Sequence, residues 1–436
     1  MRETTVVTKE NTQLGEKYHL IHHKSGLDVY IIPKDLTTYY ALFGTRYGSV
    51  DSRFRSADDQ PFLAVPDGIA HFLEHKMFEN EDGEDTFARF ARVGASANAY
   101  TSFRQTAYLF SCTEHFDKSL RILLEYVTHP WFTKENVAKE QGIIGQEIDM
   151  YEDNAGNQLL FGMLEGLYET CKARVSIVGT KESIAKITPE LLYDCYHTFY
   201  NLNNMALCLS GRITVEQVMP ILDEMLEQAP PFTAFSEQEE EREEVYRERV
   251  TMEMQVAQPL FAIGIKDVRI PSTPADRMKR NATLHLLNSM LFNETGSFYY
   301  DLLREGVIMP GMSWWFEHNR QFSFSSLSGT SADPETVYRR FCDYVEQVKK
   351  DGVDEKDLER CRRAMYAGVI KVFDSTDSIA NTFLGDYVFN DFDMLDYPDI
   401  IRSVTTDDIM ELLRDMFVRS HYTLATVYPL KENENG

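Results

Sequence analysis

Two histidines and a glutamate in Gly68-Ile69-Ala70-His71-Phe72-Leu73-Glu74-His75-Lys76-Met77-Phe78 have the types and spacing to hold and use a metal ion. No proline interrupts the stretch, and Ala70, Phe72, Leu73, Met77 and Phe78 suit a helix or a core. At about 3.6 residues per turn, His71 and His75 stand one turn apart on one face, within reach of a single ion. Glu74 lies beside that face. A zinc ion bound by two such histidines keeps a water in an open position and lowers its pKa towards roughly 7; a nearby carboxylate must then take the proton. Glu74 fits that role. The order H-x-x-E-H inverts the commoner H-E-x-x-H. Alone, these residues also fit a helix with two surface histidines and a solvated glutamate, so a third ligand matters.

One is offered downstream, in Lys134-Glu135-Asn136-Val137-Ala138-Lys139-Glu140-Gln141-Gly142-Ile143-Ile144-Gly145-Gln146-Glu147-Ile148. Glu140 and Glu147 are two helical turns apart and share a face. Gly142 and Gly145 between them each cost about 1 kcal/mol relative to alanine, which makes sense if another backbone comes close. Glu147 reads as the third ligand and Glu140 as the partner that orients a ligating histidine. An ordinary amphipathic helix with solvent-facing acids would show the same pattern.

Together with Ser96-Ala97-Asn98-Ala99-Tyr100-Thr101-Ser102, Val178-Gly179-Thr180 and Asn204-Met205, these pieces resemble the inverzincin peptidases of the pitrilysin, insulysin and mitochondrial processing peptidase family. The resemblance runs over nearly the whole chain and is greatest to the small bacterial cytoplasmic members that occur as pairs of related chains. It implies an α/β fold of the α+β type: two homologous domains, each a mixed, largely antiparallel sheet with flanking helices. It also implies Zn2+ as cofactor and a peptide as substrate. The peptide would add as an extra strand to a sheet edge, touching Asn98, Ala99 and Tyr100. Without the resemblance, that stretch is a β-strand with a half-buried face.

Along the chain, Lys17 to Pro33 reads as a hairpin, with His22 and His23 solvated near its turn. Thr38 to Val50 reads as a strand, Asp51 to Pro66 as irregular, and Ala95 to Cys112 as strand-like. Helices are expected after Phe116, over Gly156 to Cys171, Pro189 to Tyr200 and Thr214 to Gln228, with a strand at Met205 to Gly211. The acidic run Glu237 to Glu244 cannot bury itself and reads as a solvated connector. Beyond it the first half repeats. Pro259 to Lys266 stands for Tyr39 to Tyr47, His285 to Phe292 for His71 to Phe78, and Asp354 to Gly368 for Thr133 to Glu147. Cys361 then falls opposite Glu140 and Gly368 opposite Glu147, so the copy has lost its metal site and His285 is a packed or surface histidine. The expected division is residues 1–228 as the zinc-bearing domain, 229–249 as an acidic linker and 250–436 as a degenerate repeat.

A chain of 436 residues exceeds one ordinary core, and its hydrophobic share of 43% is globular. Neither the N-terminus nor any later run suits a membrane, which predicts a cytoplasmic protein. The cysteines, at 112, 171, 195, 208, 342 and 361, show no C-x-x-C spacing and read as reduced, buried thiols. A formal charge of −25 argues against nucleic acid. It would attract basic peptides, or simply keep the chain soluble.

In active relatives, an arginine and a tyrosine seven residues later, from the domain facing the zinc, bind the substrate carbonyl. The candidate arginine is Arg304, but Gly311 stands where the tyrosine belongs. The expected protein is therefore a zinc metallopeptidase acting on peptides or unfolded segments, as the catalytic subunit of a heterodimer with a related chain; an active homodimer comes second. The alternative from another class is a non-catalytic subunit that binds peptides or scaffolds a partner. Hydrolysis of non-peptide substrates is disfavoured by the strand from Asn98 to Tyr108, which suits an extended chain.

Overall fold

The computed structural model describes residues 3–431, which form two compact units, each discontinuous in sequence. The first comprises the chain up to Ile148, Ser176–Glu237 and Val369–Asp396. The second comprises Asp149–Val175, Gln238–Gly368 and the chain from Tyr397 onward. The boundaries of compactness thus differ from the repeat boundaries 1–228 and 250–436, because each sequence half lends a segment to the other unit.

In the first unit a seven-stranded sheet runs in the order Thr5–Asn11, Glu16–His22, Asp28–Pro33, Met205–Gly211, Tyr39–Thr45, Thr106–Cys112, Ser96–Thr101. Only Asp28–Pro33 and Met205–Gly211 pair in parallel. The central strands, YYALFGT and MALCLSG, are apolar runs rather than alternating ones, and both are buried almost throughout. That pattern requires cover on both faces. Part of the cover is the segment around Thr376–Asn381 and Leu384, which packs so tightly that a Cβ on Gly44 would lie 3.0 Å from Leu384 and Phe389.

Two sequence expectations change here. Thr38 to Val50 is a strand only over Tyr39–Thr45. The chain turns at Gly48, whose amide donates to the Asp51 carboxylate at 2.9 Å and whose Cα abuts the Phe103–Arg104 backbone. Ala95 to Cys112 is a hairpin rather than one strand, with Ser96 opposite Ser111. The Ser102 hydroxyl accepts the amides of Arg104 and Gln105, a local bond that competes with continued pairing.

The second unit carries a five-stranded sheet in the order Arg249–Met254, Tyr422–Pro429, Leu260–Lys266, Ser323–Thr330, Ser313–His318. Its one parallel pair is Arg249–Met254 with Tyr422–Pro429, and the other pairings are antiparallel. This is the order and orientation of the last five strands of the first sheet, so the repeat in the sequence is a repeat in topology. The helix Ala155–Leu167 packs on Leu260–Lys266 and Tyr422–Pro429, where Gly166 faces Thr423 and Gly264 faces Met163. Alanine at either position would collide with that neighbour.

The acidic run is not simply a solvated connector. The Glu241 carboxylate accepts the backbone amides of Glu169, Thr170 and Cys171 at 2.9–3.1 Å and the Lys266 ammonium at 3.1 Å. Glu237 pairs with Arg53. His23 also departs from expectation: it is buried and hydrogen-bonded to Ser25 and Asp223, whereas His22 is exposed beside Asp28. All six cysteines are free, five of them buried. Among the described residues no helix is long and apolar enough to cross a membrane.

Candidate metal centre

The helix Ile69–Lys76 buries Ile69, Ala70, Phe72 and Leu73 and starts at Gly68, whose φ of 92° is left-handed. A Cβ on Gly68 would lie 2.6 Å from the Val178 carbonyl oxygen, and one on Gly179, also left-handed, 2.5 Å from that of Asp67. Two backbones therefore touch at two glycines, and Ser183 Oγ closes the contact by donating to the Asp67 carbonyl at 2.7 Å. This places Val178-Gly179-Thr180 at the base of the histidine helix.

The helix Lys134–Glu152 brings Glu140 and Glu147 to the same place. His71 Nε2 lies 3.7 Å from one Glu147 carboxylate oxygen, and His75 Nε2 lies 3.6 Å from the other. One donor atom from each residue falls within 4.8 Å of the others. These separations are too long for hydrogen bonds. They suit a shared tetrahedral ion, whose bonds of about 2.0–2.2 Å hold donors about 3.3–3.6 Å apart. Burial and the neighbouring His75 push His71 down to about 3, so its ring is a neutral lone-pair donor at neutral pH.

Around this set the hydrogen-bond partners are defined. His75 Nδ1 donates to Glu140 Oε1 at 3.0 Å, which leaves Nε2 as the lone-pair nitrogen. Although burial opposes both shifts, this bond raises His75 and lowers Glu140. The second Glu140 oxygen is 3.5 Å from the ammonium of Lys76, a lysine with a fully buried side chain that also meets Glu79 at 2.9 Å. Glu74 is buried, and Thr101 Oγ1 donates to its Oε2 at 2.8 Å. Burial raises the Glu74 carboxyl above its ordinary value, the direction a proton acceptor at a metal site needs.

Beside Glu74 and His75 opens a cavity of about 670 Å³ lined by Phe78, Phe87, Asn98 and Ala99 among others. Asn98, Ala99 and Tyr100 lie on the edge strand Ser96–Thr101. Asn98 Oδ1 accepts the Ala99 amide, and the Tyr100 hydroxyl accepts from Gln105.

Arg304 is not among the residues of the first unit. It ends the helix Ser297–Arg304 in the second unit, exposed and 3.3 Å from Asp301. Gly311, in place of the tyrosine, is left-handed at φ 99°, and its amide reaches the Tyr299 hydroxyl at 3.5 Å. The expected reason for Gly142 and Gly145 fails: a Cβ at either would meet nothing within 4 Å, so no backbone approaches them among the described residues. In the second unit Asn288, at the position of Glu74, donates to Ser325, and His285 packs against Trp314 and Phe316. Burial pushes His285 down to about 4. Sequence reasoning gave no role to Thr101 or Lys76. The i,i+3 pairing of Lys76 with Glu79 was a readable signal, whereas the contact of Thr101 with Glu74 had none.

Residues 65–181, which carry this cluster, match Insulinase (Peptidase family M16), and residues 186–365 match the Peptidase M16 inactive domain. The uncharacterized zinc protease YmfH of Bacillus subtilis is 35% identical over 425 residues, covering 96% of this chain and 98% of that one. The chain belongs to peptidase family M16. An M16-like peptidase of Alicyclobacillus acidocaldarius has a structure that superposes with a TM-score of 0.89 at 31% identity, covering 99% of each chain. Pitrilysin shares the fold at a TM-score of 0.77 and 14% identity, and all of this chain covers 47% of that one. Several relatives are named zinc proteases, and the donor set of His71, His75 and Glu147 fits that ion. Glu140→Gln is expected to weaken zinc binding by about tenfold to a hundredfold, read by competition with a chromophoric chelator. The amide cannot hold the His75 proton as a carboxylate does.

Proposed function

We propose that this M16 chain is a zinc-dependent endopeptidase that hydrolyses peptides or unfolded segments. His71, His75 and Glu147 hold the metal, and Glu74 is the general base. The observation that carries the reading is the convergence of both histidines on Glu147 at 3.6–3.7 Å, with all three donors within 4.8 Å of one another, beside a buried, hydrogen-bonded carboxylate that is not one of them. When bound, zinc supplies Lewis acidity to a substrate carbonyl and makes water nucleophilic at neutral pH.

Glu74 takes the proton of the attacking water and delivers it to the leaving amine. Glu140 holds the His75 ring, with Lys76 holding Glu140 in turn. The free edge of Ser96–Thr101 pairs with the backbone of an extended substrate, so that Asn98, Ala99 and Tyr100 give affinity without demanding one sequence. Arg304 lacks its tyrosine, which supports a heterodimer in which this chain carries the zinc and a related chain supplies the missing carbonyl donors.

The test is cleavage of a mixture of unstructured peptides by the purified chain, before and after chelation. Cleavage and bound zinc should disappear together under chelator and return together on adding zinc. If zinc binds but cleavage begins only when a related chain is added, the heterodimer is supported. Tightly bound zinc with no peptide cut, alone or with such a chain, sinks the peptidase reading.

A further inference from the structure

We propose that Thr101 is a positioning residue that aims Glu74, so that the edge strand and the base are set by one side chain. The proposal rests on the peptidase reading given above. Thr101 is the last residue of Ser96–Thr101 and pairs across the hairpin with Thr106. Its Oγ1 lies 2.8 Å from Glu74 Oε2 and 3.4 Å from Thr106 Oγ1.

A count of protons gives the direction of these bonds. Each threonine hydroxyl has one proton to donate. That of Thr106 goes to the Tyr47 carbonyl oxygen at 2.9 Å, so Thr106 has none left for Thr101. A carboxylate can only accept, so the Thr101 proton is committed to Glu74. The bond occupies Oε2 and leaves Oε1 without a hydrogen bond among the described residues. Thr101 is itself stiff, being β-branched and held in a paired strand. The Glu74 carboxylate is therefore tethered at one oxygen and open at the other, the arrangement a proton acceptor needs.

The strand that carries Thr101 is also the one whose free edge faces substrate. A shift of Ser96–Thr101 on peptide pairing would be passed to the Glu74 carboxylate by this bond, in addition to the packing of its helix on the strand. Base position and strand position are thus coupled by geometry.

The test compares Thr101→Val, which keeps the shape and loses the hydroxyl, with Thr101→Ser, which keeps the hydroxyl, in the full chain beside Glu74→Gln. Thr101→Val should lower kcat by roughly tenfold to a hundredfold while KM and bound zinc stay as in wild type. Thr101→Ser should recover most of the rate, and Thr101→Val should add nothing in the Glu74→Gln background. Equal losses for valine and serine, or an additive loss in that background, would overturn the proposal.

A second readout needs no turnover. In glutamate-labelled protein, the Glu74 carboxyl 13C resonance, identified by its absence in Glu74→Gln, should move in Thr101→Val and stay in Thr101→Ser. An unmoved resonance overturns the contact. If Thr101→Val does not fold, Thr101→Ala takes its place in both measurements. A wild type that binds zinc yet shows no Glu74-dependent cleavage, alone or with a related chain, overturns the peptidase reading itself, and the resonance still decides whether Thr101 holds Glu74.

Discussion

Glu74→Gln should slow peptide cleavage by about a hundredfold to ten-thousandfold and leave bound zinc unchanged. The amide matches the carboxylate in size and its oxygen can still accept from Thr101, so the buried site stays packed and bonded. What it loses is the capacity to take a proton. Glu74 is not one of the three side chains whose donors converge, so metal content should not follow the rate. Glu147→Gln is the contrast, since it removes a charged donor and should lower zinc and rate together. A Glu74→Gln rate within a few-fold of wild type would mean that another group accepts the proton. Loss of zinc in Glu74→Gln would mean that the carboxylate is a ligand.

The second large effect is on stability. Glu241→Ala should destabilise the second unit by roughly 3 kcal/mol, read by denaturant unfolding or calorimetry. Three backbone amides converge on this carboxylate, and the Lys266 side chain, 3% exposed, contacts it at 3.1 Å. Removing it takes the acceptor from three amides, two of them part-buried, and leaves the buried Lys266 ammonium without its charge partner, held by the Arg242 and Glu244 carbonyls. Burial pushes the Glu241 carboxyl up, yet the amides and Lys266 hold it down at about 2, below its ordinary 4.5. A depressed folded value gives stability that is present above the unfolded value and lost on acidification. The gap between wild type and Glu241→Gln should therefore be full above pH 4.5 and close as pH falls through about 2. A gap that does not change with pH would refute the ionic account.

The parts of the site that lie on single helices were legible in the sequence. His71, Glu74 and His75 are spaced by the helical turn, and Glu140 and Glu147 by two, so a face could be read without knowing what it faces. Contacts between distant elements were not legible. Thr101 meets Glu74 across 27 residues and Lys76 meets Glu140 across 64, distances over which periodicity carries no information. The glycine argument failed at Gly142 and Gly145 yet explains Gly68 and Gly179, where two backbones do meet. Composition marked Glu237 to Glu244 as solvated because charge runs usually are. It could not show that three amides would gather on one of those glutamates. The repeat gave the fold of each sheet, whereas the compact units cut across the two halves, since similarity of halves says nothing about which helix covers which face.

That exchange of covering segments sets an order of assembly during synthesis. The last strand of the first sheet ends at Gly211, whereas the segment that packs over Gly44 begins at Val369, about 160 residues later. At about 5–20 residues per second, the sheet behind the histidine helix waits roughly ten to thirty seconds with that face bare. A chain halted at residue 228 would hold all the ligands of the centre without the lining that keeps their sheet closed. The unit that holds the candidate metal centre is thus finished by residues translated about 160 positions after its last strand, and a chain halted before them should have no stable metal site.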